Sequence, residues 1–309
     1  MAVSKKRKYK RKPRGTIAKK SADVPERVVE RKTYSEVISS AEFYFLKWIA
    51  CFTMMIDHIA WFFQEQCNIS GDTYFNMRVT GRLAYPLFAY LLVESFYHTK
   101  SRRKHLASIF IIALVSELFY DIIATGSDGK LISFKHQNVC FELGAAFLCL
   151  CIIHTPIDLS KIYKNERFSK WVGVSVKIIG VALVCVGAKL AYFDYEYGGI
   201  VFVLLLALAR MKDGQSKLKK PIQLLAFAAF FFIERDIAYA IIPVDLAFIW
   251  FFDNKCYKNY KNKVYETRKT PLISRVLTSP FSRISSKLFY PVHLLVLIII
   301  RFIMIEQAR

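Results

Sequence analysis

The chain has 309 residues, 54% hydrophobic and 15% aromatic, with 45 Lys and Arg against 24 Asp and Glu and a formal net charge of +21. Its apolar runs recur at lengths of about 20 residues, suited to crossing a bilayer, and they lack the polar faces that would let so many helices share one water-soluble core. These features exclude a soluble globular fold, and nucleic acid is not an expected partner because the basic residues lie between the apolar runs.

Residues 1–32 hold 13 Lys or Arg against 3 acids and have no apolar periodicity. Residues 1–40 therefore read as a basic, largely disordered cytoplasmic tail attracted to anionic membrane lipids, and 41–309 as the membrane domain. The charged stretch before the first apolar run is longer than a signal-peptide n-region, so no cleavable signal is expected.

Nine apolar runs then follow: Tyr44–Phe63, Arg78–Tyr97, Leu106–Ala124, Asn138–Thr155, Trp171–Phe193, Gly198–Ala209, Pro221–Ile233, Ile237–Phe252 and Leu288–Ile305. Some of the later runs are short, which widens the expected count to eight to ten spans. The expected fold class is all-α, a polytopic transmembrane helical bundle. Alternate connectors carry the cations: the tail, 98–105, 157–170, 210–220 and 253–287 together hold 35 of the 45 basic residues. The opposite connectors hold only Lys130, Lys135 and Arg235. By the positive-inside rule the amino terminus is cytoplasmic and the protein is a multi-pass plasma-membrane protein. The stretch Leu272–Ile284 reads as an interfacial amphipathic helix inside the last basic connector.

Several polar residues fall where hydrocarbon is expected. Asp57 and His58 are adjacent in the first run, Arg82 lies near the outer end of the second, and Glu117 and Asp121 share a face of the third at i,i+4 spacing. Asn138 and Glu142 repeat that spacing at the outer start of the fourth. Ionisable groups are costly in lipid unless they meet partners or water, so these seven residues are expected to converge on one polar cavity open to the outer side. For Arg82 and the outer-end groups, snorkelling to the headgroups is the competing structural reading. Adjacent helical residues point about 100° apart, so Asp57 either orients His58 or pairs elsewhere, for instance with Arg82. His293, in LFYPVHLL, is expected near the cytoplasmic face, with Pro291 in the first turn of the last helix. Glu94 and Asp245 are weaker candidates, 193–199 reads as an outer turn, and His98, His105, His136 and His154 read as surface residues near loops. The cysteines show neither disulfide nor metal spacing, and no metal site is expected.

The segments LKWIACFTMMIDHIAWFF, GRLAYPLFAYLLVESFYHT, ALVSELFYD, QNVCFELG and LFYPVHLL, in this order, resemble the TraX family over roughly residues 45–305. The family takes its name from a conjugation protein that acetylates pilin amino termini and is similar to multispan acyltransferases using cytoplasmic acyl-CoA. The resemblance implies acetyl-CoA as donor substrate and an acceptor amine or hydroxyl on a pilin-like protein or a cell-surface molecule. It places His58 at the family's DH histidine, Arg82 at its GR arginine, Glu117 and Asp121 at its SE and D positions, and His293 at its FYPxH histidine. The expected catalytic residues are His58, Asp57 and His293, and the expected substrate-binding residues are Arg82, Glu117, Asp121, Asn138 and Glu142. A proton-coupled small-solute transporter and a noncatalytic scaffold of a conjugation or surface-assembly machine are the alternatives.

Overall fold

A computed structural model describes residues 40–64, 66–124, 136–159, 162–163, 165–211, 217–261 and 272–307. The expectations for the basic tail, for Lys130 and Lys135 and for 262–271 fall outside the described residues. Among the described residues all regular structure is helical: α1 (Ser40–Phe63), α2 (Gly71–Gly81), α3 (Ala84–His98), α4 (Arg102–Ala124), α5 (Val139–His154), α6 (Glu166–Leu190), α7 (Glu196–Met211), α8 (Lys219–Glu234), α9 (Ile242–Lys261), α10 (Leu272–Leu277) and α11 (Pro280–Gln307). A short 3-10 helix, Ile237–Ile241, leads into α9. Four helices, α1, α4, α6 and α11, are long and apolar enough to cross a membrane, and the chain is a helical membrane protein.

The expected second run, Arg78–Tyr97, is not one helix. Pro86 has no amide hydrogen, and its ring collides with the carbonyl four residues back, at Arg82, so the helix breaks there. The break separates the polar α2, capped by Ser70, from the apolar α3. The last run also differs from expectation. α11 starts at Pro280, so Pro291 lies inside the helix rather than in its first turn, and His293 sits at mid-helix. Proline is tolerated within membrane helices because neighbouring groups re-satisfy the freed backbone.

α3 is the central helix. It is apolar nearly all round, and eleven of its fifteen residues are buried, as a helix without a wet face requires. Around it α5, α7, α8 and α9 build one core, with Phe96, Phe147, Phe202, Phe227 and Phe230 among its fully buried side chains. A second core, including Met54, Phe62, Ala113, Tyr120, Tyr290 and Leu294, joins α1, α4 and α11. α6 is peripheral, with Trp171, Ile178, Leu183 and Leu190 exposed, as expected of side chains that face lipid. α1 and α11 run parallel: Trp48 Nε1 donates to Ser282 Oγ at 2.9 Å, and further along both helices His58 meets His293.

Candidate active site

The two cores meet around a cavity of about 290 Å³ whose walls include Met54, Asp57, His58, Trp61, Arg78, Arg82, Tyr85, Tyr120, His136, Asp194, Tyr195 and Tyr290. Its carboxylates, arginines and imidazoles come from four places in the sequence: the end of α1, the α2–α3 junction, the loop before α5, and the turn between α6 and α7.

On α1, Asp57 and His58 point to different partners, as their angular separation requires. Asp57 Oδ2 accepts from Arg78 Nη1 at 2.6 Å. This pairing depends on Gly81, because a Cβ there would overlap the Asp57 side chain. Neither expected partner of Asp57, His58 or Arg82, takes that place, and Arg78 was not among the expected site residues.

His58 meets His293 instead. Its Nδ1 lies 2.7 Å from His293 Nε2, with the rings nearly parallel. The tautomers follow from what lies beyond. His293 Nδ1 is 2.8 Å from the Phe289 carbonyl oxygen, which can only accept, so Nδ1 carries the hydrogen. In a neutral His293 ring Nε2 then holds a lone pair, so His58 Nδ1 donates to it and His58 Nε2 keeps a lone pair of its own. Phe62 and Tyr290 hold the His58 ring by stacked and edge contacts. His58 lines the cavity, whereas His293 is not part of the wall.

Arg82, in the helix break, donates through Nη2 to Asp236 Oδ2 at 3.1 Å and lies over the Tyr239 ring. Asp236 is aimed by its own turn. Arg235 ends α8 in the left-handed conformation (φ 53°), and Asp236 Oδ1 caps the 3-10 helix by accepting from the Ala238 amide. Arg82 Nε is a buried donor without an acceptor among the described residues.

The turn 191–195 supplies Asp194 and Tyr195. It is pinned by an isolated bridge between Gln137 and Phe193 and has one non-glycine residue at positive φ within it, Tyr192 (55°), and another just after it, Glu196 (45°), a conformation that stores strain and persists only where surrounding structure enforces it. Tyr195 packs against Tyr85 with ring centroids 4.0 Å apart and the planes tilted by 34°. α7 passes so close to α3 and α5 that a Cβ at Gly199 would overlap Tyr85 Oη and Glu142 Oε1. Asp194 makes no hydrogen bond or ion pair at contact distance among the described residues. Glu234, just past the apolar stretch of α8, has its carboxyl pushed up to about 7 by burial and by the neighbouring Asp194, with Arg82 pulling the other way.

The seven expected residues therefore separate. Asp57, His58 and Arg82 line the cavity, whereas Glu117, Asp121, Asn138 and Glu142 do not. Asn138 caps α5 by accepting from the Cys140 amide and donates through Nδ2 to Glu117 Oε2 and to the Ala113 carbonyl. Glu117 and Asn138 thus form a bracket between α4 and α5. Glu142 is buried beside Tyr85 and Gly199. Arg78, Asp194, Tyr195 and Asp236 were missed. The only signals for them were a polar α2 and polar residues beside aromatic ones in 193–199 and 234–239. His136 is exposed and lines the cavity, and His98 is exposed as expected, bonded to the Glu94 carbonyl; His105 and His154 are half-buried against Phe147 and Phe96 rather than plain surface residues. Glu94 pairs with Arg210 at 2.8 Å, away from the cavity.

The arrangement offers one imidazole with a free lone pair, two arginines each held by a carboxylate, and aromatic walls. It can accept a proton from a bound group and place positive charge beside it.

Comparison with known proteins agrees with the resemblance in the motifs. The family model described as TraX protein matches residues 43–301. The probable fimbrial assembly protein FimC, serogroup H1, of Dichelobacter nodosus is 31% identical over 126 residues, covering 38% of this chain and 50% of that protein, so the match spans about half the length of that relative. No solved structure matches the chain. With the family model matching well over half of its length, the chain belongs to the TraX family.

Proposed function

We propose that the protein is a multi-pass plasma-membrane acetyltransferase that moves an acetyl group from cytoplasmic acetyl-CoA to an amine or hydroxyl acceptor, such as the amino terminus of a pilin-like subunit. The observation that carries this reading is the His58–His293 pair, which leaves His58 Nε2 as a proton acceptor on the wall of a cavity. Membership of the TraX family and the likeness to a fimbrial assembly protein support a role in surface assembly.

In this mechanism the acceptor's N–H or O–H gives its proton to His58 Nε2 as its lone pair attacks the thioester carbonyl. Positive charge that builds on His58 is shared through Nδ1–H with His293. Arg82, with its unpartnered Nε–H, supplies a donor for the oxyanion of the tetrahedral intermediate. The C–S bond then breaks, and the CoA thiolate takes the proton from His58, leaving the acetylated acceptor and CoA thiol. Asp57 acts on Arg78, and through it on the charge of the cavity, rather than on the His58 ring.

The proposed topology has nine spans, α1, α3 to α9 and α11, with the amino terminus cytoplasmic. The parallel course of α1 and α11 supports an odd count, and the basic connectors support the orientation. Cys67, exposed between α1 and α2, would then react with a membrane-impermeant maleimide added to intact cells. Protection of Cys67 until the cells are opened would reverse the orientation.

The central test is transfer from labelled acetyl-CoA by the purified protein in detergent to a pilin-like peptide or a cell-surface extract. The expected result is transfer by the wild type and none by His58→Ala. Normal transfer by His58→Ala removes the assignment. Solute flux in liposomes without acyl-CoA dependence would instead favour a transporter.

A further inference from the structure

The turn 191–195 puts a carboxylate into the cavity without giving it a partner. Of the other charged groups on the wall, Asp57 is taken up by Arg78 at 2.6 Å and Arg82 by Asp236 at 3.1 Å. Asp194 is left over, because it makes no hydrogen bond or ion pair among the described residues. His136, also on the wall, is exposed and forms no ion pair with it. With both arginines matched, the cavity carries one carboxylate more than its cations balance.

The backbone holds Asp194 in this place against local preference. Tyr192, two residues before it, and Glu196, two residues after it, both adopt positive φ. The Gln137 amide donates to the Tyr192 carbonyl at 3.0 Å and fastens the turn to the start of α5. Strained backbone of this kind gathers at ligand sites, where surrounding structure enforces it.

The wall around Asp194 decides which countercharge fits. Trp61 and Tyr120, with ring centroids 5.6 Å apart, and Tyr85 and Tyr195, at 4.0 Å, line the same cavity. Aromatic faces attract organic cations, and a wall of low polarisability strengthens the pull of the carboxylate. A metal ion needs several ligating side chains at once. Among the described residues no three His, Cys, Asp or Glu stand together to hold one. An ammonium group on a small organic body suits both the acid and the rings, and about 290 Å³ lies near the lower end of small-ligand pocket volumes.

We infer that the cavity binds an organic ammonium and that Asp194 selects it over a neutral molecule of the same shape. The site lies inside the cavity proposed for acyl transfer, but the inference does not depend on that reaction, because the carboxylate attracts the cation whatever step follows.

The test measures binding of benzylamine, which is protonated at neutral pH, and of benzyl alcohol, its uncharged counterpart, to the full chain in detergent by calorimetry. No acyl-CoA is added, so a protein that transfers nothing still reports on the site. The wild type is expected to bind the amine about tenfold more tightly than the alcohol, as one charged hydrogen bond provides. Asp194→Asn keeps the shape without the charge and should bind the two alike, and Asp194→Glu should restore most of the preference. Asp194 has no partner to lose, so both variants should melt near the wild-type temperature; Asp194→Ser, a residue at home in turns, repeats the test if the amide disturbs the fold. A wild type that binds neither probe, or binds the alcohol as tightly as the amine, overturns the inference, as does a full amine preference in Asp194→Asn. An Asp194-dependent preference in a protein that transfers no acetyl group supports the inference and counts against the proposed function alone.

Discussion

His58 Nδ1 and His293 Nε2 lie 2.7 Å apart although 235 positions separate the two residues in the chain. The contact gives His58 a single tautomer, because His293 is itself committed to the Phe289 carbonyl. It also makes the roles of the two rings unequal: one faces the cavity and the other holds it in place.

Replacing the two histidines should therefore have different effects. His58→Ala removes the proton acceptor and with it the about 10²–10⁴-fold contributed by general-base catalysis. His293→Phe keeps a ring of similar shape but no acceptor for Nδ1–H, so kcat should fall by less while KM for the acceptor stays near its wild-type value. His293→Gln, whose amide oxygen can accept, should recover part of the loss. Steady-state kinetics of the three variants checks the order.

Gly81→Ala should destabilise the protein by about 1–3 kcal/mol, the usual range for forcing a methyl group into a filled site. The added carbon would meet the Asp57 side chain and disturb its pair with Arg78. Gly71→Ala, ten residues earlier, meets nothing within 4 Å and should be neutral or slightly stabilising. Thermal melting of the two variants side by side makes the comparison.

Asn138→Ala should lower stability by about 0.5–2 kcal/mol through the lost cap of α5, and further because Glu117 loses the side-chain donor and keeps only the backbone amide of residue 138. Since Asn138 is outside the cavity wall, KM for the acceptor should not move. A raised KM with unchanged melting would return Asn138 to the binding residues.

Stability should depend on pH through Glu234. Its carboxyl is raised from an ordinary value of 4.5 to about 7 by burial and by Asp194, so the folded state keeps a proton that the unfolded chain releases. The contribution is fully present below pH 4.5 and is lost as pH rises through about 7. Glu234→Gln, which resembles the protonated form, should flatten the change in melting temperature between about pH 5 and pH 8 and melt higher than the wild type at the alkaline end. An unchanged slope would place the titration on another group.

Much of the fold was legible in the sequence. Apolar runs long enough to span a bilayer have few stable alternatives to helix, and the nine expected runs all contain described helix. The errors were local and had visible causes. Pro86 broke the second run at Arg82, and the first expected turn of α11 lay two turns or more too late because Arg283 and Lys287 interrupt the apolar pattern without interrupting the helix.

The site was only half legible. Polar residues in apolar runs are conspicuous one at a time, so Asp57, His58 and Arg82 stood out, as did the motifs that place the chain in the TraX family. Their partners did not. Within one helix the i,i+4 rule tells which residues share a face, but nothing in a linear pattern tells which face of α1 meets which face of α11 or α2. That choice rests on packing between helices, and it paired Asp57 with Arg78, His58 with His293 and Arg82 with Asp236, while turning Glu117 and Asn138 into a bracket. The sequence by itself determined the solvent in which this protein folds and the residues that solvent would not tolerate alone. Only the tertiary structure decided their partners, because contact between helices depends on the rotation of each about its own axis.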